Sequence, residues 1–158
     1  MKALYTSALL LLLFAPAATL AETAEERDAR FSAMIEGAEM LGEFNVVAAD
    51  GTVSKPQTDE YAVSKLERGD DGTWVFHYTM SYGGGNKATL PIPVTVEWSG
   101  DTPVLTMTEQ ELPGLGTFSV RVLLYDGLYA GTWRAIGGFG GHMWGRIVKP
   151  SAAADAEN

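Results

Sequence analysis

Two hydrophobic rhythms succeed one another along the chain. From Thr23 onward, Phe31, Met34, Ile35, Ala38 and Leu41 recur at helical spacing and form one apolar stripe. Thr23 with Glu26 three residues later makes a capping box, and Glu22, Glu25 and Glu26 set negative charge at the positive end of the helix dipole. The spacing predicts an amphipathic helix over 23–40, with Gly42 as its stop. The period then drops to two. Alternation predicts about eight strands, over 41–49, 60–68, 73–82, 88–98, 103–109, 117–125, 129–135 and 142–149. Asp70-Asp71-Gly72 and Asp126-Gly127 are tight-turn signals between neighbouring strands.

Alternation also sorts the faces, because successive side chains of a strand point to opposite sides. Trp74, Phe76, Tyr78, Met80 and Tyr82 share one side. So do Leu90, Ile92, Val94, Val96 and Trp98, then Phe118, Val120, Val122 and Leu124, then Tyr129, Gly131, Trp133 and Ala135. One-sided burial of this kind suits antiparallel pairing. Pro91 and Pro93 cannot donate ladder hydrogen bonds, so they mark an edge, a bulge or a gap between strands. The expected fold is mainly β: a single antiparallel up-and-down β-barrel of about eight strands with one N-terminal amphipathic helix, spanning residues 22–150. Residues 151–158 read as a disordered tail.

The chain ends change the compositional picture. Lys2, the apolar run Ala8 to Ala15, Pro16 and the small residues at Thr19 and Ala21 form a secretory signal peptide over 1–21. Its apolar run is too short to span a bilayer, which takes about 20 residues. Cleavage after Ala21 removes one basic residue, so the formal charge moves from −9 to −10. An exported chain of this acidity has no basic patch for nucleic acid, and no membrane contact is expected after cleavage. The export route permits disulfides, yet the 158 residues include no cysteine, so stability rests on a packed core. A membrane-spanning barrel would need an outward apolar band on every strand. Lys65 and Glu67 on one face of their strand, with Ser64 and Arg68 on the other, argue against it.

Candidate chemistry is sparse. His77 and His142 stand far apart with no pattern of metal-ligand spacing. Glu97, Asp101, Glu109 and Glu111 are the nearest carboxylate cluster, and they read as turn and surface acids. The glycine runs at 83–85 and 137–141 open no helix, so they do not cradle phosphate. No cofactor and no metal is called for. The richest signal is aromatic: Trp74, Phe76, Tyr78, Trp98, Phe118, Tyr129 and Trp133 converge on one interior. An eight-stranded barrel is just wide enough to be filled by its own side chains or to hold one small ligand, and both readings stay open. Arg121, Arg134 and Arg146 are candidate anchors for an anionic headgroup, or equally surface residues paired to acids.

The helix, then Gly42-Glu43-Phe44 on the first strand, then a meander of strands resembles the calycin superfamily of lipocalins, fatty-acid-binding proteins and avidins; Gly131-Thr132-Trp133 is similar to avidin-like strands. The resemblance implies a barrel with an interior site for a small apolar ligand. The expected function is non-enzymatic binding of a small apolar or amphipathic molecule. Trp74, Phe76, Tyr78, Trp98, Tyr129, Trp133 and Arg134 are the candidate contacts. The alternatives are an interaction or structural module with a filled barrel, and a small-barrel enzyme. Exposure of Phe31, Ile35, Leu115 or Phe139 would favour the module.

Overall fold

The computed structural model describes residues 22–82 and 85–150. The expected signal peptide (1–21) and tail (151–158) lie outside the described residues. One helix, α1 (Ala24–Ile35), precedes eight strands: β1 (Glu39–Phe44), β2 (Gln57–Arg68), β3 (Trp74–Tyr82), β4 (Asn86–Ser99), β5 (Thr102–Leu112), β6 (Gly116–Tyr125), β7 (Leu128–Ala135) and β8 (Gly140–Val148). Each strand pairs antiparallel with the next, and β1 pairs with β8 to close the barrel. This is the expected fold class.

The capping box forms as expected: Glu26 N–H donates to Thr23 Oγ1 at 3.2 Å, and Thr23 N–H donates to Glu26 Oε2 at 2.8 Å. The helix, however, stops at Ile35 rather than at 40. Gly37 turns the chain with φ 70°, and its N–H donates to Val63 O at 2.8 Å. The chain thus joins β2 before another helical turn can form. Phe31 and Ile35 are fully buried, but Leu41 leaves the stripe and faces outward from β1. Gly42 is not a helix stop; it sits within β1.

Two irregularities break the period-two reading. A bulge at Ser64 moves the inward parity of β2 from Asp59, Tyr61 and Val63 to Leu66. A second, with Glu109 at φ 48°, does the same in β5, so that strand continues to Leu112 instead of ending at Glu109. Ser119 Oγ accepts the Glu109 N–H at 3.0 Å, and the Arg121 guanidinium clasps the bulge by donating to Met107 O and Thr108 Oγ1. The Asp126-Gly127 turn has positive φ at both positions, 50° and 71°, as a tight hairpin needs.

Pro91 and Pro93 create a gap. Both keep their register with β3, opposite His77 and Val75. The β4–β5 ladder runs only from Thr95 to Ser99, opposite Thr106 to Thr102. Past the prolines β4 has no rungs to β5, since proline has no N–H to give.

The three even-numbered hairpin turns and α1 gather at one end of the barrel. There Phe31 meets Trp74, Trp98 and Phe76 with ring centroids 5.2, 6.0 and 6.2 Å apart, all edge-on. Burying one such ring contributes about 1.5–3 kcal/mol. Arg27 and Arg68 lie over Trp98 and Trp74 at 4.6 and 4.7 Å, and Arg68 pairs with Asp28 at 3.0 Å. The helix is therefore a packed plug.

At the closure seam the register aligns Tyr129, Gly145, Gly42 and Asp59 on β7, β8, β1 and β2. Tyr129 lies across the two glycines, and its hydroxyl donates to Asp59 Oδ1 at 3.1 Å. A Cβ on Gly145 would stand 2.7 Å from both Gly42 Cα and Tyr129 Cε1. We expect Gly145→Ala to lower the unfolding free energy by about 3 kcal/mol, read by urea denaturation, because backbone and a held ring cannot move aside. A loss under about 0.5 kcal/mol would show the seam to be pliable.

Candidate functional site

The inward face of the upper barrel encloses a cavity of about 460 Å³. Its walls come from every strand. Met40 and Phe44 of β1, Met80 of β3, Met107 of β5 and Met143 of β8 contribute flexible or aromatic surface. Ile92, Val94, Leu105 and Val122 line its lower part, and Leu112, Leu115, Phe118 and Phe139 surround the mouth. Trp133 stands among Phe44, Phe118 and Phe139 at centroid distances of 6.4, 6.2 and 5.9 Å. Four methionines give the walls adaptable shape. The volume falls within the range of about 300–1,000 Å³ typical of small-molecule sites.

The aromatic residues converge as a set of inward faces, but they divide by depth. Trp74, Phe76 and Trp98 pack with Phe31 at the plugged end and do not line the cavity. Tyr78 and Trp133 line it. Tyr78 stacks on Phe76 at 5.2 Å, so its ring forms the floor between filled and open halves. Tyr129 is buried across the seam glycines. Arg134 is exposed on the outer wall, as are Arg121 and Arg146, because one step along a strand from an inward residue reverses the face. None of the three can anchor a headgroup inside the barrel.

The polar centre missing from the sequence reading is Asp59. It is 1% exposed, and both its oxygens accept tyrosine hydroxyls: Tyr61 at 2.9 Å and Tyr129 at 3.1 Å. Burial raises the carboxyl above its ordinary range, against the two tyrosine bonds that lower it. Tyr61 and Tyr129 are pushed upward, first by burial and then by the Asp59 charge. The signal was available: Asp59 lies two residues before Tyr61 and four before Val63, on the same inward parity.

The histidines sit elsewhere. His77 faces outward, with Nε2 3.3 Å from Glu67 Oε2 but outside hydrogen-bond geometry. His142 is exposed at the rim, its Nδ1 3.0 Å from Asn45 Oδ1. Among the described residues no three His, Asp or Glu side chains gather as metal ligands.

A closed eight-stranded antiparallel barrel, plugged at one end and holding a ligand-sized apolar cavity at the other, is the class that fold and site define. No family model, curated protein or solved structure matches the chain.

Asp59 makes a measurable prediction. Its raised carboxyl holds a proton more tightly in the fold than in the unfolded chain. The Asp59 contribution to stability therefore falls as pH rises through the ordinary carboxylate range to the folded value, and stays low above it. Asp59→Asn removes that dependence. Wild type should gain stability relative to Asp59→Asn as pH falls from about 7 to about 4, by chemical denaturation at each pH. Parallel curves would contradict it.

Proposed function

We propose that the chain is exported and acts without catalysis, holding one small apolar or amphipathic molecule in the open half of the barrel. The observation that carries this reading is the cavity of about 460 Å³ walled by apolar and methionine side chains. A barrel of this size can fill itself, yet the Trp74, Phe76 and Trp98 rings and the helix plug fill only one end. Asp59 supports the non-enzymatic reading, since it does not line the cavity and both its oxygens are engaged. The calycin-like reading belongs to the same proposal and rests on the sequential closed barrel with Gly42-Glu43-Phe44 on its first strand. Exposed Glu60, Lys65, Glu97, Arg121 and Arg134 on the outer wall favour an aqueous setting over lipid.

Val120 lines the cavity and is only partly buried. Val120→Trp should fill the space and weaken binding of the fluorescent probe N-phenylnaphthylamine by about tenfold or more, while unfolding stays cooperative. Unchanged probe affinity would place binding elsewhere. Expressed with its leader, the exported protein should begin at Glu22 when its intact mass is measured; a mass retaining residues 1–21 would remove the export reading.

The interaction-module reading retains one support. The helix stripe is spent in the core, with Phe31 and Ile35 both 0% exposed, and Leu115 is partly covered, but Phe139 remains 44% exposed. Leu123, Tyr125 and Leu128 also stand exposed along a groove on the outer wall. Concentration-dependent sedimentation of the purified chain would favour that reading.

A further inference from the structure

The floor of the cavity carries an unused hydrogen-bonding group. Tyr78 is 8% exposed and has no hydrogen-bond partner for its hydroxyl among the described residues. That hydroxyl is not among the sealed, unpartnered polar atoms either, so it keeps open surface. Tyr78 points inward and is one of the residues that line the cavity. Its neighbour Tyr61 differs: that hydroxyl is committed as donor to Asp59. Burial raises the Tyr78 phenol far above its ordinary value, which keeps it protonated and able to donate.

Charge sets the second limit. No Lys, Arg or His lines the cavity among the described residues. Arg121, Arg134 and Arg146 are exposed outside. Asp59, behind Tyr61, adds an acidic group at the wall. A carboxylate entering this space would lose its water, find no cation and meet a like charge. A neutral oxygen would lose less and gain the Tyr78 hydroxyl.

We propose that the barrel selects an uncharged, largely apolar molecule bearing one hydroxyl or carbonyl group, seated with that group on Tyr78 Oη at the cavity floor, and rejects the carboxylate of the same skeleton. This inference rests on the binding function proposed above and specifies its ligand class.

The test compares naphthalene, naphthol and naphthoate, matched in shape, by equilibrium dialysis against the folded full barrel at neutral pH. Naphthol should bind about two- to tenfold more tightly than naphthalene, the worth of one hydrogen bond. Naphthoate should bind at least about tenfold more weakly than naphthol. In Tyr78→Phe the naphthol preference over naphthalene should vanish, with a cooperative thermal transition as the control for folding. Naphthoate binding as tightly as naphthol overturns the proposal, as does a naphthol preference absent from wild type or retained in Tyr78→Phe. The wild-type ranking stands even if the variant does not fold. Failure of all three compounds and of N-phenylnaphthylamine to bind overturns the binding function itself; probe binding with the wrong ranking overturns only the ligand class.

Discussion

The closure of the barrel depends on one side chain laid across two glycines. β1 and β8 must pair if the sheet is to have no edge, and at their junction Gly42 and Gly145 offer bare backbone. Tyr129 of β7 covers that bare strip and reaches Asp59 of β2 with its hydroxyl. One ring thus spans four strands and fastens the last part of the chain to the first. The arrangement requires a buried acid, and the acid in turn requires both Tyr129 and Tyr61, because a carboxyl left unpartnered there would carry the full cost of desolvation. Glycine, aromatic and acid are mutually necessary; replacing any one leaves a void, a clash or an orphaned polar group.

The interior is divided by the same logic of occupancy. Phe31 from the helix adds a fourth ring to the three that β3 and β4 carry at this end, and it completes a cluster with Trp74, Trp98 and Phe76. Arg27 Nε finds no hydrogen-bond acceptor, and its guanidinium instead lies against the Trp98 ring. Above Tyr78 no described helix enters, the β4–β5 ladder stops at Thr95, and methionines, modest aliphatics and the rings of Phe44, Phe118, Trp133 and Phe139 leave a space between them. A filled core and a cavity do not exclude one another in this barrel: the chain builds both, one at each end.

Much of this was legible in the sequence because period two is a property of the backbone. The inward sets on β3, β4, β6 and β7, the hairpin turns and the capping box could be read directly. Three things could not. The helix boundary turned on Gly37, whose left-handed φ competes with a stripe that runs on past it. The bulges at Ser64 and Glu109 shift parity without a residue type that announces them. Depth along the barrel axis has no signature in alternation, so Trp74 and Trp133 looked equivalent although one is in the plug and the other at the mouth. Arg134 shows the reverse lesson: its outward parity was readable from Trp133 beside it.

The seam also sets the order in which this molecule can form. Seven hairpin pairings join neighbours in the chain and can close locally, but the pairing of Glu39–Phe44 with the β8 segment bridges almost the whole described length. Closing so long a loop is entropically slow, and every residue between must be present first. Until β8 arrives, β1 and β7 are open edges and the glycine strip has no cover. The barrel is therefore a structure finished by its last strand: a nascent or truncated chain lacking β8 has hairpins but no inside.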